Sequence, residues 1–167
     1  MKDKGFKYSL VIITAAMILL SFAAESVYFS DFEYWFRTRQ FNRILHEKEK
    51  IMEECLNGMK PILARGESHG SLSENNLFSV AEQNRITILE YIGNKLIYWS
   101  DNDFEVPAVL NDKTFSKPLV FMQNGWFIAR TVQSGNETIA GLLRLRNDYG
   151  FENDIVKNGF LGEFGVE

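Results

Sequence analysis

The run Trp99-Ser100-Asp101-Asn102 is the most distinctive polar stretch in the chain. Ser, Asp and Asn side chains accept backbone N–H bonds, so behind a strand they form caps and turns. Tyr98 and Trp99 beside them are aromatic walls suited to a small-molecule pocket. Arg130 falls in the run 126–133 and, by strand alternation, shares a face with Trp126, Ile128 and Val132. An arginine among apolar residues requires a partner, because an unpaired buried charge is costly. The partner is a neighbouring Asp or Glu, the ring of Trp126, or the carboxylate of a small ligand held bidentately. The candidate ligand-binding residues are therefore Arg130, Trp126, Tyr98 and Trp99. Arg144 and Arg146 share one face of the last strand, opposite Leu143 and Leu145, and read as a solvated face.

No catalytic constellation is visible. Cys55 is the single cysteine, so neither a disulfide framework nor a metal cluster can be built on it. The two histidines, His46 and His69, are distant in sequence, and a Cys–His pair is not expected. Glu53-Glu54 belongs to a charge run on a helix face. Gly159, Gly162 and Gly165 lack the strand–helix setting of a phosphate loop. No cofactor and no metal is called for.

The elements that must position these residues begin with a long helix. From Phe41 the apolar residues recur at Ile44/Leu45, Ile51/Met52, Cys55/Leu56, Met59 and Ile62/Leu63, with Glu and Lys between them. That stripe predicts a helix from about 30 to about 63, closed by Pro61 and Gly66. It packs on its own domain, on a second copy of the chain, or on both. A polar loop at 64–76 and a short helix at 77–83 follow. The pattern then changes to strands at 85–92 and 96–99, an irregular connector at 100–118, and strands at 119–123, 126–133 and 138–146. Turns are expected at Gly93-Asn94-Lys95, Asn124-Gly125 and Ser134-Gly135-Asn136. Residues 149–167 read as no regular element. The fold class is α+β, with a five-stranded antiparallel sheet carrying the long helix on one face. The connector partly covers the other face, where a ligand would sit.

Composition sets the outer limits. The chain has 167 residues, 46% hydrophobic and 24% charged, too apolar for a disordered chain. A formal charge of −4 argues against a nucleic-acid partner. The mean hydropathy of −0.16 is that of a soluble protein, but it averages two unlike regions. Lys2, Lys4 and Lys7 precede sixteen uncharged residues, 9–24, and Glu25 is the single charge as far as Phe29. Residues 9–29 as a helix would span about 31 Å, close to the hydrocarbon thickness of a bilayer. The lysines place the amino terminus inside. Removing three of 18 basic residues, with Asp3 and Glu25 of 22 acidic ones, leaves 15 against 20, a net of −5 for the exported part. A cleaved signal peptide is the competing reading, with small residues at Ser21 and Ala23. The uninterrupted aromatic run Tyr28, Phe29, Phe32, Tyr34, Trp35, Phe36 favours an uncleaved anchor.

The run Ile88-Leu-Glu-Tyr-Ile-Gly-Asn-Lys-Leu-Ile-Tyr-Trp-Ser-Asp-Asn102 resembles the extracytoplasmic sensor region of membrane histidine kinases from Bacteroidetes. The segment Asn147-Asp-Tyr-Gly-Phe-Glu-Asn-Asp-Ile-Val-Lys-Asn-Gly-Phe160 is similar to the stretch that follows the last strand there. The resemblance implies a PAS/Cache-like fold, dimerisation through the long helix, and transmission of a bound signal to a cytoplasmic kinase. It divides the chain into a cytoplasmic tail (1–8), a transmembrane helix (9–29), a long exported helix (30–64), a sensor domain (65–147) and a connecting segment (148–167). The implied location is the bacterial inner membrane with the domain in the periplasm, and the implied partner is a small-molecule or protein signal. The kinase is not in these residues: His46-Glu47 lacks the Arg-Thr-Pro that follows a phospho-acceptor histidine. The alternative is a membrane-anchored structural or scaffold protein with a coiled-coil-forming helix.

Overall fold

The computed structural model describes residues 2–28, 32–64, 76–111 and 113–165, with side chains omitted at 2–7, 10, 26–28 and 32–33. His69 and most of the polar loop expected at 64–76 lie outside the described residues. The chain forms two compact units, Met1–Arg39 and Gln40–Glu167. The first holds helix α1 (Lys2–Tyr28) and the start of helix α2 (Phe32–Ala64). Among the described residues no helix is long and apolar enough to cross a membrane. The transmembrane expectation for 9–29 is not carried by them; Leu10 and positions 26–29 of that span have no described side chain.

The second unit is α+β. After α2 come α3 (Asn76–Gln83) and strands β1 (Ile86–Ile92), β2 (Lys95–Trp99), β3 (Leu119–Met122), β4 (Gly125–Ser134), β5 (Glu137–Asn147) and β6 (Gly159–Phe160). All pairings are antiparallel, in the order β2-β1-β5-β4-β3. The expected five strands are present, and β6 is a sixth. It pairs with β5 at Arg146 and Asn147, along the edge that β1 leaves open beyond Leu143. The segment after the last strand is thus ordered: a short 3-10 turn, Gly162–Phe164, follows β6 and buries Phe164 against Phe41 of α2. Pro61 does not end α2, which continues to Ala64.

The central strand β5 explains the layering. Ile139, Leu143 and Leu145 join Ile86, Ile88 and Ile128 in one core with Met52, Cys55, Leu56, Met59, Ile62 and Leu63 of α2. The helix stripe therefore packs on its own sheet. Gly141 lies between these residues, and a Cβ there would meet Met52 Cγ at 2.9 Å, Met52 Sδ at 3.0 Å and Leu56 Cδ1 at 3.3 Å. The missing side chain lets the helix approach the middle of the sheet. On the opposite face Leu89, Tyr91, Phe127, Ala129, Ala140 and Leu142 form a second core, covered by Phe104, Val106, Leu110 and Phe115 of the connector.

Two turns follow the expected chemistry. Gly93-Asn94 and Gly135-Asn136 join their strands with both glycines at positive φ. The third is shifted. The turn is Gln123-Asn124, with Gln123 at φ 48, while Gly125 is buried inside β4, where a Cβ would strike the Phe127 ring at 2.9 Å. Tight packing, rather than turn geometry, uses that glycine.

Tyr91 ties the connector to the sheet. Its side chain is fully buried and its hydroxyl donates to the Pro107 carbonyl at 2.9 Å. Burial pushes the phenol from an ordinary value of 10 up to about 12. The unfolded chain releases this proton near pH 10 while the folded chain holds it. The stabilisation is therefore complete below pH 10 and is lost as pH rises towards about 12. Denaturant unfolding at pH 9 and pH 11.5 should show wild type losing roughly 2 kcal/mol more than Tyr91→Phe. Equal losses would contradict it.

Candidate functional site

The residues expected to bind a ligand are not brought together. Arg130 is on the α2 face, where its Nη2 donates to Glu49 Oε1 at 2.8 Å and its Nε lies 3.7 Å from Glu53 Oε1. Its Nη1 donates to the Ala129 carbonyl at 3.1 Å. Of the partners open to Arg130, the structure selects neighbouring carboxylates. Gly141 lies opposite Arg130 in the ladder, so no side chain stands between this guanidinium and the helix. Trp126 is four residues away, about 13 Å along the strand; it stacks on Phe121 and donates Nε1 to Asp148 Oδ2. Tyr98 packs edge-on against Phe78 at 5.6 Å, within the α2-side core. Burial, with Glu82 and then Glu90 nearby, raises its pKa. Trp99 is 45% exposed and lines a shallow groove with Leu96, Asn102, Phe104 and Gln123, its Nε1 donating to Asn102 Oδ1.

The polar run after Trp99 acts as the turn it resembles. Ser100 continues the ladder by accepting from Ile88 N–H at 2.9 Å and returning its own N–H to Ile88 O at 3.0 Å. Asp101 accepts the Asp103 N–H at 3.0 Å. This turn also builds one wall of a cleft of about 570 Å³, lined by Glu82, Arg85, Thr87, Ser100, Asp101, Asp103, Phe104, Arg144 and Asn147 among others. The cleft opens where β1 has ended and β6 has not begun, so part of the β5 edge has no strand beside it.

Two arginines, Arg85 and Arg144, line it. Arg85, at the α3–β1 junction, adopts φ 57 as the left-handed residue that closes α3, its N–H donating to the Glu82 carbonyl at 2.9 Å. Its guanidinium forms no ion pair among the described residues. Arg144 lies over the Phe127 ring at 5.7 Å, and its Nε is buried without a hydrogen-bond partner. Its Nη2 reaches the Asn124 carbonyl at a long 3.5 Å. Asn147 also lines the cleft, and its Oδ1 is a buried acceptor without a donor among the described residues.

Arg144 and Arg146 do not form the solvated face expected of them. The β4–β5 register shifts so that Trp126 faces Arg146 while its neighbour Phe127 faces Arg144. The extra residue, Leu145, is a bulge that turns Arg146 away from Arg144 and over the ring of Phe160, which packs on Phe41 of α2. Simple alternation hides this. The signal available in the sequence was Arg144 itself, a long cation two residues from Leu142 on a strand flanked by strands. Arg85, Thr87, Asp103 and Asn147 carried no comparable signal, since only the fold assembles them.

No protein-family model, no curated protein and no solved structure matches this chain. The geometry alone carries the functional reading. Among the described residues no cluster of His, Cys, Asp and Glu could hold a metal ion, and Cys55 is buried in the α2-side core with its thiol pKa raised by burial and by Glu54. What the cleft offers is recognition through charge and hydrogen bonding.

The Arg130–Glu49 contact joins α2 to β4 with both side chains largely shielded (31% and 19% exposed). A double-mutant cycle of Arg130→Met and Glu49→Gln, read by denaturant unfolding, should give a favourable coupling of about 1 kcal/mol. Zero coupling would return Arg130 to the pool of cations free to meet a ligand.

Proposed function

We propose that this chain is the extracytoplasmic ligand-sensing part of a transmembrane signal-transduction protein, with a two-component sensor histidine kinase as the parent. One observation carries the reading: α2 is a single helix, Phe32–Ala64, whose second half packs into the core of a domain holding a charged cleft. A rod built into a ligand-holding domain converts a local shift into a displacement along its axis. The antiparallel path β2-β1-β5-β4-β3 with that helix on one face supports a PAS/Cache-like architecture.

The anchor rests on α1. Val11, Ile12, Ile13, Met17, Ile18, Leu19, Leu20 and Phe22 are each more than half exposed, and consecutive positions point around the whole helix. Each such side chain gains about 1.5–3 kcal/mol on leaving water, and lipid is the environment that supplies the gain. With Lys2, Lys4 and Lys7 held inside, the sheet domain faces the periplasm of a bacterial inner membrane. Exposed Tyr34, Trp35 and Phe36 suit the interfacial zone and a homodimeric contact through α2. The scaffold reading draws support from exposed Phe121, Phe151 and Ile155, apolar side chains suited to docking another protein.

Sodium carbonate extraction of membranes carrying the chain should leave it in the pellet. Single cysteines introduced in turn at 42–50, in a Cys55→Ala background, should cross-link two copies at three-and-four spacing. Release into the supernatant contradicts the anchor, and no cross-link at any position contradicts the helix dimer.

A further inference from the structure

The two edges of the sheet, β2 and β3, are finished differently. At β2 the chain covers itself. Leu96 N–H donates to the Ala108 carbonyl at 3.0 Å, Leu110 N–H donates to the Asn94 carbonyl at 2.7 Å, and Val109 bridges Lys95. The β1–β2 register also shifts at Glu90/Tyr91, a bulge of the kind that blunts an edge. At β3 neither device is present among the described residues. Met122 pairs with Gly125 across the turn, and Ala129 N–H donates to the Pro118 carbonyl at 2.8 Å. By antiparallel alternation Val120 and Met122 bond to β4, while the N–H and C=O groups of Leu119 and Phe121 point away from the sheet. No backbone partner meets them among the described residues.

The side chains on this edge are apolar, where an idle edge ordinarily carries charge. Val120 and Met122 turn to the connector-side core. Leu119 and Phe121 turn the other way, beside Ile128 and Trp126, and stay 44% and 50% exposed. Phe121 is held in place by the Trp126 ring at 5.2 Å. Opposite charges frame the pair. Exposed Lys117 precedes β3. At the far end exposed Glu105 is fastened to Gln123: its Oε2 accepts from Gln123 Nε2 at 2.9 Å, and its N–H donates to Gln123 Oε1 at 3.0 Å. A strand laid antiparallel on β3 would set its amino-terminal end at Glu105 and its carboxy-terminal end at Lys117.

We propose that β3 accepts an extended segment of a partner protein as a further antiparallel strand, a segment carrying a basic residue, two alternating apolar residues and an acidic residue in that order. The two apolar residues fall opposite Phe121 and Leu119, exchange backbone hydrogen bonds with them and cover both side chains. The base meets Glu105 and the acid meets Lys117. A second copy of β3 offers similar chemistry, with Lys117 at one end and Glu105 at the other. Pairing two copies this way turns their α2 helices in opposite directions on one sheet face, whereas two copies anchored in one membrane present α2 in the same direction. The choice of a partner over a second copy rests on the anchored reading; the free edge does not.

The test is fluorescence anisotropy of dye-labelled peptides titrated with the full chain in lipid nanodiscs. The first peptide is Lys-Thr-Val-Thr-Val-Thr-Glu with blocked ends, and the second exchanges its Lys and Glu. The first should bind about fivefold or more tighter than the second, since exchange turns both attractive pairs into repulsive ones. N-methylation of its two Val residues removes the amides that face the edge and should abolish binding; N-methylation of the outward Thr amides should leave it. Phe121→Pro removes one outward N–H without touching the β4 ladder and should also abolish binding. Leu119→Lys, on an exposed side chain, replaces it should Phe121→Pro not fold. Binding by neither peptide, or equal binding that survives N-methylation of Val, overturns the proposal. Self-association of the chain that Phe121→Pro abolishes also overturns it, in favour of a second copy on the same edge.

Discussion

The absence of a side chain at Gly141 sets the geometry on which the domain depends. Gly141 occupies the middle of the central strand, between Ile88 of β1 and Arg130 of β4. Met52 and Leu56 of α2 fill the space a Cβ would take. A larger residue there would push back the helix and with it the stripe from Met52 to Leu63, which supplies six of the fifteen buried residues of that core. Glycine is disfavoured in strand interiors because it loses much conformational freedom and packs nothing. Close approach of the helix offsets that cost. The same vacancy leaves room for Arg130 to reach Glu49, so an ion pair and a hydrophobic seat arise from one omission.

The opposite face is organised differently. There the connector lays Phe104, Val106, Leu110 and Phe115 over the sheet, and Tyr91 holds it by one hydrogen bond to Pro107. This cover leaves the far end of β5 partly open, and β6 fills only the last two positions. The cleft is the remainder. Its charged walls come from segments far apart in sequence: the α3–β1 junction, the turn after β2 and the end of β5.

Much of the architecture was legible because strand alternation and the helix stripe are local patterns. All five expected strands lie within about two residues of their observed bounds, and α3 was legible as a short apolar segment before a period change. Three things were not. The Leu145 bulge changes which face Arg146 occupies, and nothing in Arg-Leu-Arg distinguishes a bulge from plain alternation. Gly125 imitated a hairpin glycine although its role is packing against Phe127. The two-residue β6 is too short to carry periodicity and exists because Arg146 and Asn147 needed a partner strand. At the candidate site, the need of Arg130 for a partner was legible from residue type alone. That the partner is Glu49, 81 residues away, was not, because the choice between ligand and carboxylate is made by tertiary packing. The cleft was legible only in Asp101 and its neighbours, and there as a turn.

For a rod-coupled sensor, helix and sheet must behave as one cooperative body, so that an event at the cleft alters the seat of α2. Native-state amide hydrogen exchange on the full chain tests this most directly. The account predicts that α2 amides from Met52 to Leu63 and β5 amides from Ile139 to Leu143 exchange through one common opening, with indistinguishable opening free energies. Exchange of the α2 amides through a separate, easier opening while β5 stays protected would contradict it.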